Sequence, residues 1–287
     1  MGTGAALRGR FIVILLCGSL VAIALIVPEA RSHVEGAVVT SYKALVPVVV
    51  DGRWTTPHEW NDTVEQIALL AGTFPKMVTG AYVRLKHDAL SLYVLIDFVL
   101  DTRIDPANDT YLHPDAGWVF LDTAHEGSAW PNLDDYTVIL AWYNTTCPEL
   151  AVFRGDGRDW IPLKEIPRGL TAASSTNATY SPRTQRPHLI YEFAIPLSLF
   201  PSGVETAGVG FMAVDHATVQ GSGYPVGFTF PYPLLPKPTP DKFADLVFSA
   251  VPVPELSSVP LAALIALVAT TLIPRRRPVI RCLRKSI

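Results

Sequence analysis

The sequence predicts an all-β protein: a two-sheet antiparallel β-sandwich with an N-terminal signal segment and a C-terminal transmembrane helix. Three observations carry that expectation. Between the termini, about ten short runs rich in β-branched and aromatic residues are separated by Pro, Gly, Asn and Asp, and no long stretch has helical periodicity. The chain is bracketed by two apolar segments, Phe11–Val27 after Arg8 and Arg10, and Val259–Ile273 before Arg275, Arg276 and Arg277. Asn61, Asn108, Asn144 and Asn177 stand in Asn-x-Ser/Thr sequons and only Asn132 does not, the bias expected of an exported, glycosylated surface.

The basic start, the apolar run and the small residues around Pro28–Ser32 make residues 1–32 a secretory signal peptide cleaved near Ala30 or Ser32. An uncleaved anchor is the alternative, because the run approaches spanning length. A linker over 33–46 leads to the domain at 47–250. Residues 251–274 read as a membrane anchor and 275–287 as a basic cytoplasmic tail, which leaves the domain outside the cell. The 15 apolar residues from Val259 span about 22 Å, short of a ~30 Å hydrocarbon core unless the preceding Ala250–Pro254 also enters it. Pro254-Glu255-Leu256, an apolar stretch and then arginines resemble the Pro-Glu-Phe type of sorting signal on archaeal surface proteins, with Leu256 in the phenylalanine position.

Strands are expected at Val46–Val50 and Val64–Leu69, followed by a hairpin. In that hairpin Tyr82–Lys86 alternates in polarity, His87-Asp88-Ala89 turns, and Leu92–Val99 returns. Further strands are expected at Gly117–Leu121, Tyr136–Trp142, Leu150–Phe153, His188–Ala194, Val209–Val214 and Leu246–Phe248. Residues 162–187, rich in Ser, Thr and Pro, read as a long loop. Residues 225–240 are crowded with proline, which argues against a central strand and for an extended segment packed over one end of the sandwich.

Net charge is only −3 and the basic residues outside the termini are scattered, which excludes the electrostatic footprint of a nucleic-acid binder. Cys17, Cys147 and Cys282 fall one in each compartment, so no disulfide is expected within the domain. Enzyme signatures are missing: there is no Gly-x-Ser-x-Gly, no phosphate loop and no Cys-x-x-Cys, and His58-Glu59 lacks the second histidine of a zinc protease motif. Asp134-Asp135 could suggest glycoside hydrolysis, but neighbours on a strand point to opposite faces. A non-enzyme is expected.

A family resemblance rests on residues in a fixed order. Asp51-Gly52-Arg53-Trp54 and Glu59-Trp60 precede Ala81–Asp88 and Leu92-Tyr93-Val94-Leu95-Ile96-Asp97. Trp118–Asp122, Tyr191-Glu192-Phe193-Ala194-Ile195-Pro196-Leu197 and Gly208–Phe211 follow. Together these resemble family 9 carbohydrate-binding modules and the related DOMON-type domains over about residues 47–250. The resemblance implies a β-sandwich that binds carbohydrate or cell-envelope glycan without catalysis. Trp60 and Tyr93 are expected as core aromatics.

Sugar rings lie their C–H faces on aromatic planes, so Trp130 and Trp160, both in probable loops, are the candidate stacking residues, with Asp134 and Asp135 as candidate polar contacts. The acidic run Asp97, Asp101, Asp105, Asp109, Asp115, Asp122 offers hard oxygen donors, and Asp101, Asp105 and Asp109 are candidate calcium ligands of the kind related modules carry. Two alternatives stay open. One is a b-type haem, held by Met77 or Met212 with His87, His188, His216 or Lys86, as in some DOMON-type relatives. The other is a structural surface glycoprotein with no small ligand.

Overall fold

The computed structural model describes residues 33–63, 67–71, 76–106, 114–176, 181–216, 226–234 and 238–253. Both apolar terminal segments, Asn108, Asp109 and Asn177 lie outside these residues. Among the described residues no helix is long and apolar enough to cross a membrane.

Thirteen strands form the domain, with only single 3-10 turns at Leu197–Leu199 and Pro240–Lys242 among the described residues. The first four are β1 (Val38–Lys43), β2 (Ile67–Ala71), β3 (Val78–His87) and β4 (Ser91–Phe98). Next come β5 (Ala116–Asp122), β6 (Asp135–Ala141), β7 (Glu149–Gly155), β8 (Trp160–Pro162) and β9 (Thr171–Ser175). The last four are β10 (Leu189–Pro196), β11 (Thr206–Asp215), β12 (Val226–Phe230) and β13 (Ala244–Ser249).

One layer runs β8-β7-β6-β5-β11 and the other β3-β4-β10-β9. Alternate residues of both layers, among them Val119, Leu121, Val138, Phe211, Val83, Ile96, Tyr191 and Phe193, meet in one core, so the layers pack face to face. The expected two sheets are joined along one side. β11 reaches β3 twice, through β13 and β1 at one end and through β12 and β2 at the other. β1 runs parallel to both β13 and β3, an exception to the expected antiparallel pairing. No hairpin ties β1 to either neighbour, so nothing dictates its direction.

The hairpin of β3 and β4 is as expected, with His87 opposite Leu92. Its turn is an Asx turn: Asp88 Oδ1 accepts the N–H groups of Leu90 and Ser91 at 2.7 and 2.8 Å. Four expectations fail. The segment 33–46, expected as linker, contains β1, while Val46–Val50 is extended but joins no sheet. The long loop 162–187 contains β9, whose small side chains carry no apolar signal. Val226–Phe230 is a strand between β11 and β2, because no proline falls between Pro225 and Pro231.

β5 and β10 are buried along their whole length. Both layers are therefore covered on their outer faces as well. On the β4–β10 side the cover is residues 44–63, which place Trp54 and Trp60 against Leu95 and Ile190. Their backbone groups are satisfied by buried side chains instead of a strand partner. Glu192 accepts from Asp51 N, Gly52 N, Arg53 N and Trp60 Nε1 at 3.0, 2.9, 3.4 and 3.1 Å. Lys86 Nζ donates to the Val46 carbonyl and to Asp62 Oδ1, both at 2.8 Å. Gly52 sits at φ +76° with Ser174 backbone 2.5 Å from where a Cβ would stand, so only glycine fits there.

Trp60 is fully buried and Tyr93 partly so. Trp60→Ala is expected to cost about 3–5 kcal/mol of unfolding free energy in urea denaturation. A loss below about 1 kcal/mol would show that this cover is not part of the cooperative unit.

Candidate functional site

The other outer face belongs to β5, β6, β7 and β11. Trp118, Phe120, Ile139, Ala141, Met212 and Val214 form an apolar surface there. The chain after β12 crosses it and buries Leu234 and Phe243. It leaves a slot of about 240 Å³, lined by Trp118, Phe120, Thr137, Ile139, Phe153, Trp160 and Pro238. That volume lies below the roughly 300–1,000 Å³ of pockets for drug-sized ligands and suits a single ring. Trp160 is fixed by its Nε1–H, which donates to the Pro238 carbonyl at 3.1 Å. Two lining side chains carry a buried polar atom that finds no hydrogen-bond partner among the described residues: Trp118 Nε1 and Thr137 Oγ1. Such atoms cost free energy unless a ligand or solvent engages them.

Of the sequence-predicted ligand residues, Trp160 lines the slot. Trp130 is 55 % exposed in the β5–β6 loop and is not among the lining residues. Asp134 and Asp135 do not line it either; their carboxylates come within 4.8 Å of Asp122. Asp135 is buried, and its carboxylate accepts from Asn132 N. Burial pushes its pKa up to about 8, the Asn132 N–H opposes, and the charges of Asp122, Asp134 and Glu126 add to the rise. Trp118, which sequence reasoning placed only in a strand, is the second slot indole. Its strand, Ala116–Asp122, is apolar at successive positions, the sign of a strand buried on both faces.

A second cluster joins Asp101, Asp115 and Asp215, which are 0 %, 0 % and 2 % exposed and offer carboxylate oxygens within 4.8 Å of one another. Strand register explains two of them: Ala116 pairs with Val214, so Asp115 and Asp215 follow at the same end. Asp115 Oδ1 accepts His216 N at 2.9 Å and its Oδ2 accepts Asp105 N at 2.5 Å. Asp101 Oδ1 accepts Arg103 N at 3.3 Å, while its Oδ2 is buried without a partner among the described residues. Burial, then the neighbouring negative charges, hold Asp101 and Asp115 well above the usual carboxylate range. Burial and the same three carboxylates also raise Tyr191.

Of the predicted calcium ligands, Asp101 belongs to this cluster. The Asp105 carboxylate pairs with Arg103 at 2.6 Å, and Asp109 lies outside the described residues. Asp215 gave no sequence signal as a partner, since it ends an apolar strand far along the chain. The donor set, all oxygen and all anionic, fits a hard cation such as calcium.

Four of the six haem candidates are engaged in other contacts. Lys86 is bound as above, His87 Nδ1 meets Ser41 Oγ at 3.0 Å, and Met212 packs in the outer apolar surface. His188 is buried between the Arg186 carbonyl at 2.7 Å and Asp97 Oδ1 at 2.6 Å. Met77 and His216 are partly buried. Asn61 and Asn144 are exposed, and Asn144 Oδ1 caps its own turn by accepting from Thr146 N and Cys147 N.

No protein-family profile matches the chain, and no curated protein does. Solved structures do. A family 9 carbohydrate-binding module from Caldicellulosiruptor kristjanssonii, in complex with cellotriose, superposes with a TM-score of 0.52 at 17 % identity. The match covers 74 % of this chain and 93 % of that one. A family 9 module from the same organism, in complex with glucose, gives a TM-score of 0.49 at 18 % identity, over 74 % and 96 % of the two chains. The fold is thus similar to that of the cellotriose-bound module.

His188 has an acceptor at each ring nitrogen, an arrangement that favours the doubly protonated ring. Burial pulls its pKa down, but the Asp97 hydrogen bond, the Arg186 carbonyl and the Asp97 charge together carry it above the ordinary 6.5. A raised folded-state pKa stabilises fully below the unfolded value and is lost as pH rises through the folded value. The melting-temperature gap between the wild type and His188→Gln is expected to be widest near about pH 6 and to close toward about pH 9. Thermal melts across that range check it, and a gap that widens with pH refutes the assignment.

Proposed function

We propose that this chain is a non-catalytic carbohydrate-binding protein, exported and held at the cell surface by its C-terminal apolar segment. The slot takes one sugar ring. The observation that carries this reading is the pairing, in one cavity, of two indoles with two unpartnered polar atoms, Trp118 Nε1 and Thr137 Oγ1. A pyranose presents C–H groups to the indole faces, and its hydroxyls supply an acceptor for the Trp118 N–H and a partner for the Thr137 hydroxyl. The structural likeness to a module solved with cellotriose supports the same class of ligand. The lack of nucleophile and metalloprotease motifs in the sequence supports binding without catalysis. Exposure of Asn61 and Asn144 supports glycosylation at those sequons.

Calcium is part of the proposal. Asp101, Asp115 and Asp215 would hold it, since three buried carboxylates packed together need a compensating cation or protons. The ion would fix the start of β5, which carries Trp118 and Phe120 into the slot, and the end of β11, its neighbour.

Sugar titration of the purified protein, followed by tryptophan fluorescence, tests the site. Trp160→Ala is expected to weaken binding about fivefold or more, the equivalent of about 1 kcal/mol for one stacked ring. Thr137→Val is expected to weaken binding while leaving stability unchanged or slightly raised, because it deletes an unpartnered buried hydroxyl. No response to any sugar at millimolar concentration would leave a structural surface protein as the better account.

For the metal, calcium at a hundredfold excess over Kd is expected to raise the melting temperature of chelator-treated protein by about 5–10 °C. Asp101→Asn is expected to abolish that response. An unchanged melting temperature in the wild type would remove calcium from the proposal.

A further inference from the structure

A third cluster lies at the opposite ends of β5 and β11 from the aspartate triad, where β13 begins. His33 Nδ1 and His125 Nε2 each stand 2.9 Å from the same oxygen, Asp245 Oδ1. The two imidazoles meet edge to face at a centroid separation of 4.5 Å. The other nitrogen of His33 faces Asp122 Oδ2 at 3.1 Å, and Asp122 is itself held by Glu126 N and Gly127 N at 3.1 and 2.7 Å. His33 is thus a buried imidazole with a carboxylate at each nitrogen.

We propose that His33, His125 and Asp245 form a binding site for a divalent transition-metal ion of the zinc type. Two imidazole nitrogens and one carboxylate oxygen converge on one point from three separate stretches of chain, the residues before β1, the β5–β6 loop and β13. That donor set selects zinc-like ions over calcium or magnesium, which take oxygen ligands. A metal-bound histidine ordinarily donates its second N–H to a carboxylate, which fixes its tautomer and orientation, and Asp122 occupies that position behind His33.

The surroundings are shaped for the ring. Gly208 lies so close that a Cβ there would stand 2.6 Å from His33 Nε2, so the absence of a side chain makes room for the imidazole. His125 adopts φ +58°, the one described non-glycine residue in the left-handed region, and that conformation accompanies the placement of its ring beside Asp245. The His125 and Asp245 side chains are 31 % and 36 % exposed, which gives an ion a route in and leaves a coordination position for water. The ion would tie the chain's entry into the domain to β13, its last strand, independently of any ligand in the slot.

The full chain, without an affinity tag and purified in detergent, is stripped with chelator and titrated with Zn²⁺ by calorimetry, with Co²⁺ as a spectroscopic stand-in. One equivalent of Zn²⁺ is expected, with imidazole ligation in the Co²⁺ spectrum and no displacement by equimolar Ca²⁺. His125→Asn keeps a residue that tolerates the left-handed backbone and removes one donor. It is expected to bind Zn²⁺ at least about tenfold more weakly, and Asp122→Asn to weaken binding by about tenfold or more through His33. Failure of the stripped wild type to take up Zn²⁺, undiminished affinity in His125→Asn, or displacement by equimolar Ca²⁺ each overturns the site. Melting curves of both variants establish that the comparison is made on folded protein.

Discussion

The carboxylate of Glu192 is the interaction on which the covered sandwich depends. Fully buried on β10, it gathers three consecutive backbone N–H groups and the Trp60 indole, and so supplies residues 51–60 with partners that a strand would have found in a ladder. Its own ionisation is contested: burial pushes the pKa up to about 8, while the N–H donors favour the anion. Lys86 and Glu59 complete the arrangement from the neighbouring strand and from the segment itself, with Glu59 accepting Val49 N at 3.0 Å and Thr55 N at 2.9 Å. A non-repetitive stretch can cover an apolar sheet only because its polar backbone is satisfied from within the sheet.

The second outer face meets the same demand incompletely. Leu234 and Phe243 bury part of it, while Thr137 and Ile139 line a cavity together with Pro238. The Trp160 indole both ties Pro238 in place and walls the gap it leaves. The two faces therefore differ in kind. One is closed by a dense hydrogen-bond network, and the other holds a cavity in which Trp118 Nε1 and Thr137 Oγ1 have no hydrogen-bond partner among the described residues. The proposed ligand site lies where the cover is unfinished.

Much of this architecture was legible in the sequence. Alternation in Tyr82–Lys86, the Asp88 turn and the apolar runs at β5, β6, β10 and β11 reflect the local physics of strands and turns, and they appear where expected. β1, β9 and β12 were hidden for separate reasons: a strand parallel to both its neighbours has no hairpin signal, β9 is nearly all small residues, and β12 is shadowed by the prolines that flank it. In the site, Trp160 was visible because a loop tryptophan needs an explanation, whereas Trp118 reads as one more core aromatic within a strand. Trp130 carried the same loop signal and remains outside the slot. The aspartate partners followed the same logic. Asp101 and Asp115 are near neighbours in sequence, but Asp215 joins them only through the pairing of β5 with β11.

Buried acid is handled in two ways in this domain, and the contrast bears on where ions belong. Asp97 is matched by protonated His188 and by the Ser181 hydroxyl at 2.8 Å, and Asp62 is matched by Lys86. Those carboxylates are neutralised from within. Asp101, Asp115 and Asp215 sit together; for Asp101 the charges of the other two are the largest influence after burial itself, and one of its oxygens has nothing to accept from among the described residues. Leaving such a group uncompensated costs several kcal/mol per charge, more than a marginally stable domain can tolerate without protonation or a cation. The proposed ion would complete the end of the sandwich where β5 begins and β11 ends, and would couple the proposed sugar site to the ionic conditions around the protein through β5, which carries Trp118 and Phe120 into the slot.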